Sequence, residues 1–172
     1  MVEENFPQRL GTRFTIFASI ILLGMMTYYF DIYLDKQHNP NQQVTAVTTD
    51  NSREVILNRN RAGHYVTTAN INDHKITVML DTGASDVSIP EHLAEKLDLQ
   101  RGPAFEATTA NGIITVYATV INKIQLGNIE LVGVRASINP YMDENEVLLG
   151  MSVLKQLDFS QQGNQLTLKQ YK

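Results

Sequence analysis

Seventeen consecutive residues without a charge, Phe14–Phe30 (FTIFASIILLGMMTYYF), constrain this chain more than any other feature. A segment apolar on every side is unstable on the surface of a water-soluble domain, so it is either covered by other parts of the chain or placed in lipid. Carried on to Leu34, with Asp31 near its edge, it reaches 21 residues. A helix of that length, rising ~1.5 Å per residue, just spans a hydrocarbon core ~30 Å thick. Tyr28, Tyr29 and Tyr33 gather at its C-terminal end, where rings with an apolar body and a polar tip favour the membrane interface. A cleaved signal peptide is the competing reading. Against it, the apolar run is long and no small-x-small cleavage site follows. Residues 14–34 are read as an uncleaved transmembrane anchor.

Arg9 and Arg13 precede this segment and only Lys36 follows it closely. The positive-inside rule then makes residues 1–13 a cytoplasmic N-terminal tail, and puts everything after the anchor outside, in the periplasm of a Gram-negative bacterium. This describes a single pass through the inner (cell) membrane. Residues 35–53, rich in Gln, Asn, Thr and Asp, read as a flexible tether with too little apolar surface to fold. The net charge of −4, with no basic block, argues against nucleic acid as a partner. The absence of cysteine excludes a disulfide framework, a zinc–thiolate site and thiol catalysis. His38, His64, His74 and His92 lack metal-ligand spacing, and neither a metal nor a cofactor is called for.

From Glu54 the pattern becomes one of short strands between turn signals. Strands are predicted at 54–58, 64–71, 75–80, 105–109, 113–121, 123–126 and 129–138, with a closing hairpin at 159–162 and 165–169. Asn72-Asp73, Asn111-Gly112, Gly127-Asn128 and Gly163-Asn164 supply the turns. Two helices fit between strands. Pro90–Leu97 aligns Ile89, Leu93 and Leu97, with Ser88 and Glu91 at capping-box spacing, and Met151–Leu157 aligns Met151, Leu154 and Leu157. The fold class is therefore all-β: residues 54–172 form a compact β-barrel or sandwich with one or two short helices, preceded by the single transmembrane helix.

One segment is not an ordinary strand end. Val78-Met79-Leu80-Asp81-Thr82-Gly83-Ala84-Ser85 runs an apolar strand directly into an acid, a hydroxyl and a glycine. A turn is the plain reading of Asp-Thr-Gly, since all three residues are common in turns. Two further segments sharpen it: Thr108-Thr109-Ala110-Asn111-Gly112, and Val147-Leu148-Leu149-Gly150-Met151-Ser152-Val153-Leu154. With these three motifs in this order, the chain resembles the retropepsin-like (retroviral-type, clan AA) aspartic proteases, in particular their bacterial membrane-anchored relatives.

The resemblance implies a small closed β-barrel of the retropepsin-like acid protease type, and an aspartic endopeptidase that uses two carboxylates around one water, with no metal and no covalent intermediate. The chain holds a single Asp-Thr-Gly and so half a site, which implies a homodimer with Asp81 contributed twice across a two-fold axis. By the same resemblance, Thr82 bonds across that axis, Gly83 lets its amide approach the carboxylate, and Ala84 occupies a position where pepsins carry a hydroxyl. Ser85 either braces the loop or meets substrate. Leu149 and Gly150 support the loop from behind. Thr109, Ala110, Asn111 and Gly112 form the tip of a flap over a peptide or protein substrate, although a plain surface hairpin is the commoner fate of Asn-Gly. A catalytically idle peptide-binding module with the same fold is the alternative.

Overall fold

The computed structural model describes residues 6–109 and 112–172, with side chains from residue 11 onward. The chain divides into two units, Met1–Gln37 and His38–Lys172. In the first, helix α1 (Phe6–His38) extends the predicted anchor at both ends, so residues 6–13 of the expected tail are helical. Its apolar side chains are exposed all round, from Phe14 at 75% to Leu34 at 46%. The hydroxyls within it turn back onto the helix: Thr15 donates to Gly11 O (2.9 Å) and Ser19 to Thr15 O (2.8 Å). A polar group satisfied by its own backbone is compatible with an apolar solvent. This is the one helix among the described residues long and apolar enough to cross a membrane.

The second unit is built from two sheets. Strands β1 (Thr45–Thr48) and β2 (Ser52–Asn58) join β10 (Asp158–Gln162) and β11 (Gln165–Tyr171) in the order β1-β2-β11-β10. The larger sheet contains β3 (Tyr65–Ile71), β4 (His74–Leu80), β5 (Val87–Pro90), β6 (Ala104–Thr109), β7 (Gly112–Leu126), β8 (Ile129–Asn139) and β9 (Glu146–Leu149). Its order is β3-β4-β9-β5-β8-β7-β6, and β3 also pairs with β7, which closes the sheet on itself. The interior is filled by Val, Ile and Leu, including Leu57, Ile71, Val78, Ile89, Ile121 and Leu149, each at most 1% exposed. At ~25 cal/mol per Å² of apolar area removed from water, such side chains dominate the stability of a domain this small. The closed, mostly β architecture with few short helices matches the fold class read from the sequence.

Three local readings change. The expected tether is folded from Asn39 onward. Asn41 is 2% exposed, and its side chain accepts from Asn58 N (2.7 Å) and donates to Asn58 O (2.8 Å) and Val66 O (2.7 Å). Its own carbonyl accepts from Thr67 Oγ1 (3.0 Å), and Asn39 Nδ2 donates to Thr68 Oγ1 (3.1 Å). β1 then lies against β2. Low apolar content signals disorder only where burial is the sole source of order, and here amide side chains replace it by saturating strand backbone groups.

The helix expected at Pro90–Leu97 shrinks to α2 (Glu91–Ala94), because residues 87–90 belong to β5 and Asp98 turns the chain at φ 54°. The capping box does not form: Ser88 Oγ meets Met142 Sδ, and the Glu91 carboxylate engages Arg101. Helix α3 is likewise Met151–Leu154, with a turn carrying the chain to the buried Leu157. Finally, the two strands expected at 113–121 and 123–126 are one strand, β7. Its buried set passes from Ile121 to Ile124, a change of phase opposite Gly133, whose φ is 62°.

Candidate active site

Strand β4 delivers Asp81 to the surface. Ile76 and Val78 are buried on one side of the strand, Leu80 is half-buried, and the ladder ends where Asp81 N–H donates to Leu149 O (3.1 Å). The next residues fold back on the acid. Gly83 N–H donates to Asp81 Oδ1 (2.8 Å), and Ala84 N–H to Asp81 O (3.3 Å). A Cβ on Gly83 would stand 3.1 Å from that carboxylate oxygen, tighter than most packed contacts. The backbone thus orients one oxygen and leaves the acid half-buried at the edge of the domain.

The loop is held from below by β9, which enters parallel to β4 with Val78 opposite Val147 and Leu80 opposite Leu149. Beyond Leu149 the chain passes under the Asp81 loop. Met151 N–H donates to Ala84 O (2.8 Å) and Ser152 N–H to Ser85 O (2.9 Å). Gly150 is buried in this crossing, and a Cβ there would lie 2.5 Å from Ala84 O and closer still to Asp86 O. Only a glycine allows the two segments to approach so closely.

Thr82, Gly83 and Ser85 are exposed, Ala84 is half-buried and Leu149 is 1% exposed. Among the described residues, the Thr82 hydroxyl has no hydrogen-bond partner within its own chain. Asp81, Thr82, Gly83, Ala84, Ser85, Leu149 and Gly150 therefore converge on one surface loop and its support.

The hairpin of β6 and β7 is present, closing on Thr109 opposite Gly112, with Thr109 Oγ1 donating to Gly112 O (2.8 Å). Gly112, at φ 119°, opens β7 instead of sitting at the centre of the expected turn. Ala110 and Asn111 lie outside the described residues.

Ser152 has a part that the sequence did not disclose. It is 5% exposed; its Oγ accepts from Val87 N (3.1 Å) and donates to Arg135 O (3.3 Å). This joins the residue after the Asp81 loop to α3 and β8. The only signal was its place just after Leu-Leu-Gly-Met, which says nothing of partners 65 and 17 residues distant.

The Asp-bearing strand end is crossed by a Leu-Leu-Gly segment, and comparisons with known proteins identify the family and the fold. A sequence model of the gag-polyprotein putative aspartyl protease family matches residues 67–156, and the chain belongs to this retropepsin-like family. The crystal structure of a retropepsin-like aspartic protease from Rickettsia conorii superposes with a TM-score of 0.58 at 27% identity, over 75% of this chain and 95% of that one. Two curated proteins are similar in sequence. One from Sinorhizobium sp., the uncharacterized protein in the cobV 5' region, is 31% identical over 127 residues, 71% of this chain and 54% of its own length. The uncharacterized protein RP867 of Rickettsia prowazekii (strain Madrid E) is 32% identical over 106 residues, 59% of this chain and 45% of its own. The chain spans about half the length of these curated relatives.

Proposed function

We propose that the protein is a membrane-anchored aspartic endopeptidase whose active form is a homodimer with Asp81 supplied twice. The observation that carries this reading is the Asp81 loop itself. One carboxylate is oriented by Gly83 N–H at a surface where the neighbouring Thr82 hydroxyl finds no partner among the described residues of its own chain. A second copy related by a two-fold axis supplies both the missing carboxylate and a partner for Thr82.

Two carboxyl groups about 3 Å apart share one proton. The ionised one takes a proton from the water between them as that water attacks the peptide carbonyl. The protonated one donates to the carbonyl oxygen, and a proton then passes to the leaving nitrogen. The amide C–N bond breaks and the new C–O bond comes from water, so no cofactor takes part. The β6–β7 hairpin covers an extended peptide, adding main-chain hydrogen bonds as a strand would. Helix α1 holds the protein in the cell membrane, with residues 38–172 outside the cytoplasm, supported by the Arg9 and Arg13 flank.

The test is incubation of the full chain, in detergent micelles, with a diverse peptide library. Cleavage that disappears in Asp81→Asn supports the reading. Peptide retained without cleavage by the wild-type chain would instead make the protein a binding module.

A further inference from the structure

The net charge of −4 is unevenly spread along the chain. Residues 36–49 and 55–72 hold no Asp or Glu, while Lys36, Arg59 and Arg61 fall within them, together with His38 and His64. The fold brings the second of these stretches back to the start of the β-domain. Asn60 Nδ2 donates to the carbonyl of His38 (2.9 Å), and His38 is the first residue of the second unit. The loop 59–64 therefore stands where the chain enters the domain. His38 follows Leu34 by four residues. Four residues reach at most ~14 Å even when fully extended. With residues 14–34 in the bilayer, that reach keeps the loop close to the lipid headgroups.

The loop is held in shape by its own hydrogen bonds. Asn60 N–H donates to His64 O (2.8 Å), Gly63 N–H to Asn60 O (3.1 Å), and His64 N–H to Asn60 Oδ1 (2.9 Å). Gly63 takes φ 92°, which lets the chain reverse within so few residues. Arg59 N–H donates to Asn164 O (2.8 Å) and its Nη2 to Asn164 Oδ1 (2.8 Å). These bonds fix the backbone and leave Arg59, Arg61, Ala62, Gly63 and His64 exposed. Each guanidinium carries five donors in a planar fork that matches phosphate oxygens. The carboxylate that His38 meets, Glu146 (2.8 Å), is mostly covered, with its side chain 18% exposed.

We propose that the loop 59–64 is a headgroup-binding surface that docks the domain onto anionic phospholipid, with Arg59 and Arg61 as its phosphate contacts. This rests on the membrane anchor of the reading above and is independent of what Asp81 does. Basic side chains close to an anionic lipid surface are drawn to it. So few of them would hold a free protein only weakly, but an anchored chain keeps the loop at a high effective concentration beside its ligand. A loop already ordered also loses little conformational freedom when it docks. Docking fixes one face of the domain toward the lipid, which a single anchoring helix does not do by itself.

The chain has no cysteine, so one introduced thiol carries a fluorophore at a chosen place. Full-length Ala62→Cys, so labelled, is placed in vesicles of phosphatidylcholine alone or of phosphatidylcholine mixed with phosphatidylglycerol. Both contain the same trace of phosphatidylcholine bearing a quencher on its headgroup. Quenching should be at least twofold stronger with phosphatidylglycerol, and should fall back at about 1 M salt, where the screening length is ~3 Å. A label at Ile113→Cys, on the β6–β7 hairpin, should be quenched equally in both membranes. Arg59→Gln with Arg61→Gln should abolish the difference at an unchanged melting temperature, and Arg59→Lys with Arg61→Lys should retain most of it. Equal quenching of the Ala62→Cys label in the two membranes, or a difference that survives in the folded glutamine variant, would overturn the surface. Inorganic phosphate that relieves quenching more than chloride does at equal ionic strength would make this a site for free phosphate and overturn the lipid assignment. A chain that alkaline carbonate strips from the vesicles would overturn the anchor and the surface with it. A chain that resists stripping but does not respond to phosphatidylglycerol would overturn the surface and leave the anchor standing.

Discussion

Gly150 carries no chemistry, yet the geometry of Asp81 depends on it. Gly150→Ala would drive a methyl group into the carbonyls of Ala84 and Asp86, which are main-chain atoms and cannot swing aside. Overpacking of this kind costs about 1–3 kcal/mol, relieved in part by moving the Asp81 loop. The variant should therefore melt several degrees lower and lose at least tenfold in kcat while its far-UV spectrum stays that of a β-protein. Undiminished kcat would mean that the crossing does not position the acid. At this scale the legible residues were those whose partners are close in sequence. Gly83 reaches Asp81 across two positions, so the triplet displays its own geometry. Ser152 was opaque for the opposite reason: its hydroxyl serves Val87 and Arg135, residues brought to it only by the finished sheet.

The same distinction governs the elements. Strands β3 and β4 and the β10–β11 hairpin were legible because alternation and a turn are local properties, and Asn72 and Asp73 take the positive φ values, 47° and 68°, that such a tight turn needs. β1 and the Asn39–Asn41 segment were not, because their order comes from hydrogen bonds to β2 and β3. Asn41→Ala removes three side-chain bonds to main-chain groups of Asn58 and Val66 and leaves those groups without their partner. A loss of about 2–4 kcal/mol follows, measurable as a lower urea midpoint with unchanged slope. By the same logic a chain starting at Glu54 should resist folding, whereas one that keeps residues from His38 should fold.

The pairing of β2 with β11 also has an electrostatic component. Glu54 and Lys169 face each other in register at 2.8 Å. The hydrogen bond from Lys169 holds the Glu54 carboxyl below its ordinary 4.5, and the bond to Glu54 holds the Lys169 ammonium above its ordinary 10.5. A carboxyl depressed on folding stabilises above its unfolded value and loses that contribution as pH falls through the folded one. A raised ammonium stabilises below its unfolded value and loses the contribution as pH rises through the folded one. The difference in unfolding midpoint between wild type and Lys169→Met should therefore be flat from 4.5 to 10.5 and shrink on either side. Because the pair lies at the surface, added salt should reduce it. A difference that grew below pH 4 would contradict the assignment.

For the molecule as a whole, the proposed homodimer, with Asp81 supplied twice, makes a stoichiometric statement. Mixing wild-type and Asp81→Asn chains in equal amounts, with full exchange, leaves about a quarter of the dimers with two carboxylates. Activity per chain should fall to about a quarter, since members of a dyad act as a unit. A fall to one half would mean that each chain works alone. The all-β class was legible from strand count and turn spacing, and its closure only through the resemblance to a family. The route of the closure was not, because β9 lies between β4 and β5 although it follows both in sequence.

The terminal sheet carries a consequence for how the protein is made. β2 finds its partner in β11, more than a hundred residues further along the chain. Synthesis proceeds from the N-terminus, so β1 and β2 leave the ribosome long before β11 exists. Contacts so distant in sequence form late and slowly. β10, which is hydrogen-bonded to β11, cannot be set in place any earlier. The small sheet of a nascent copy thus stays incomplete until translation has passed Tyr171, and on the proposed function two anchored chains growing side by side could not assemble an active dimer, or digest each other, before both are built to that point.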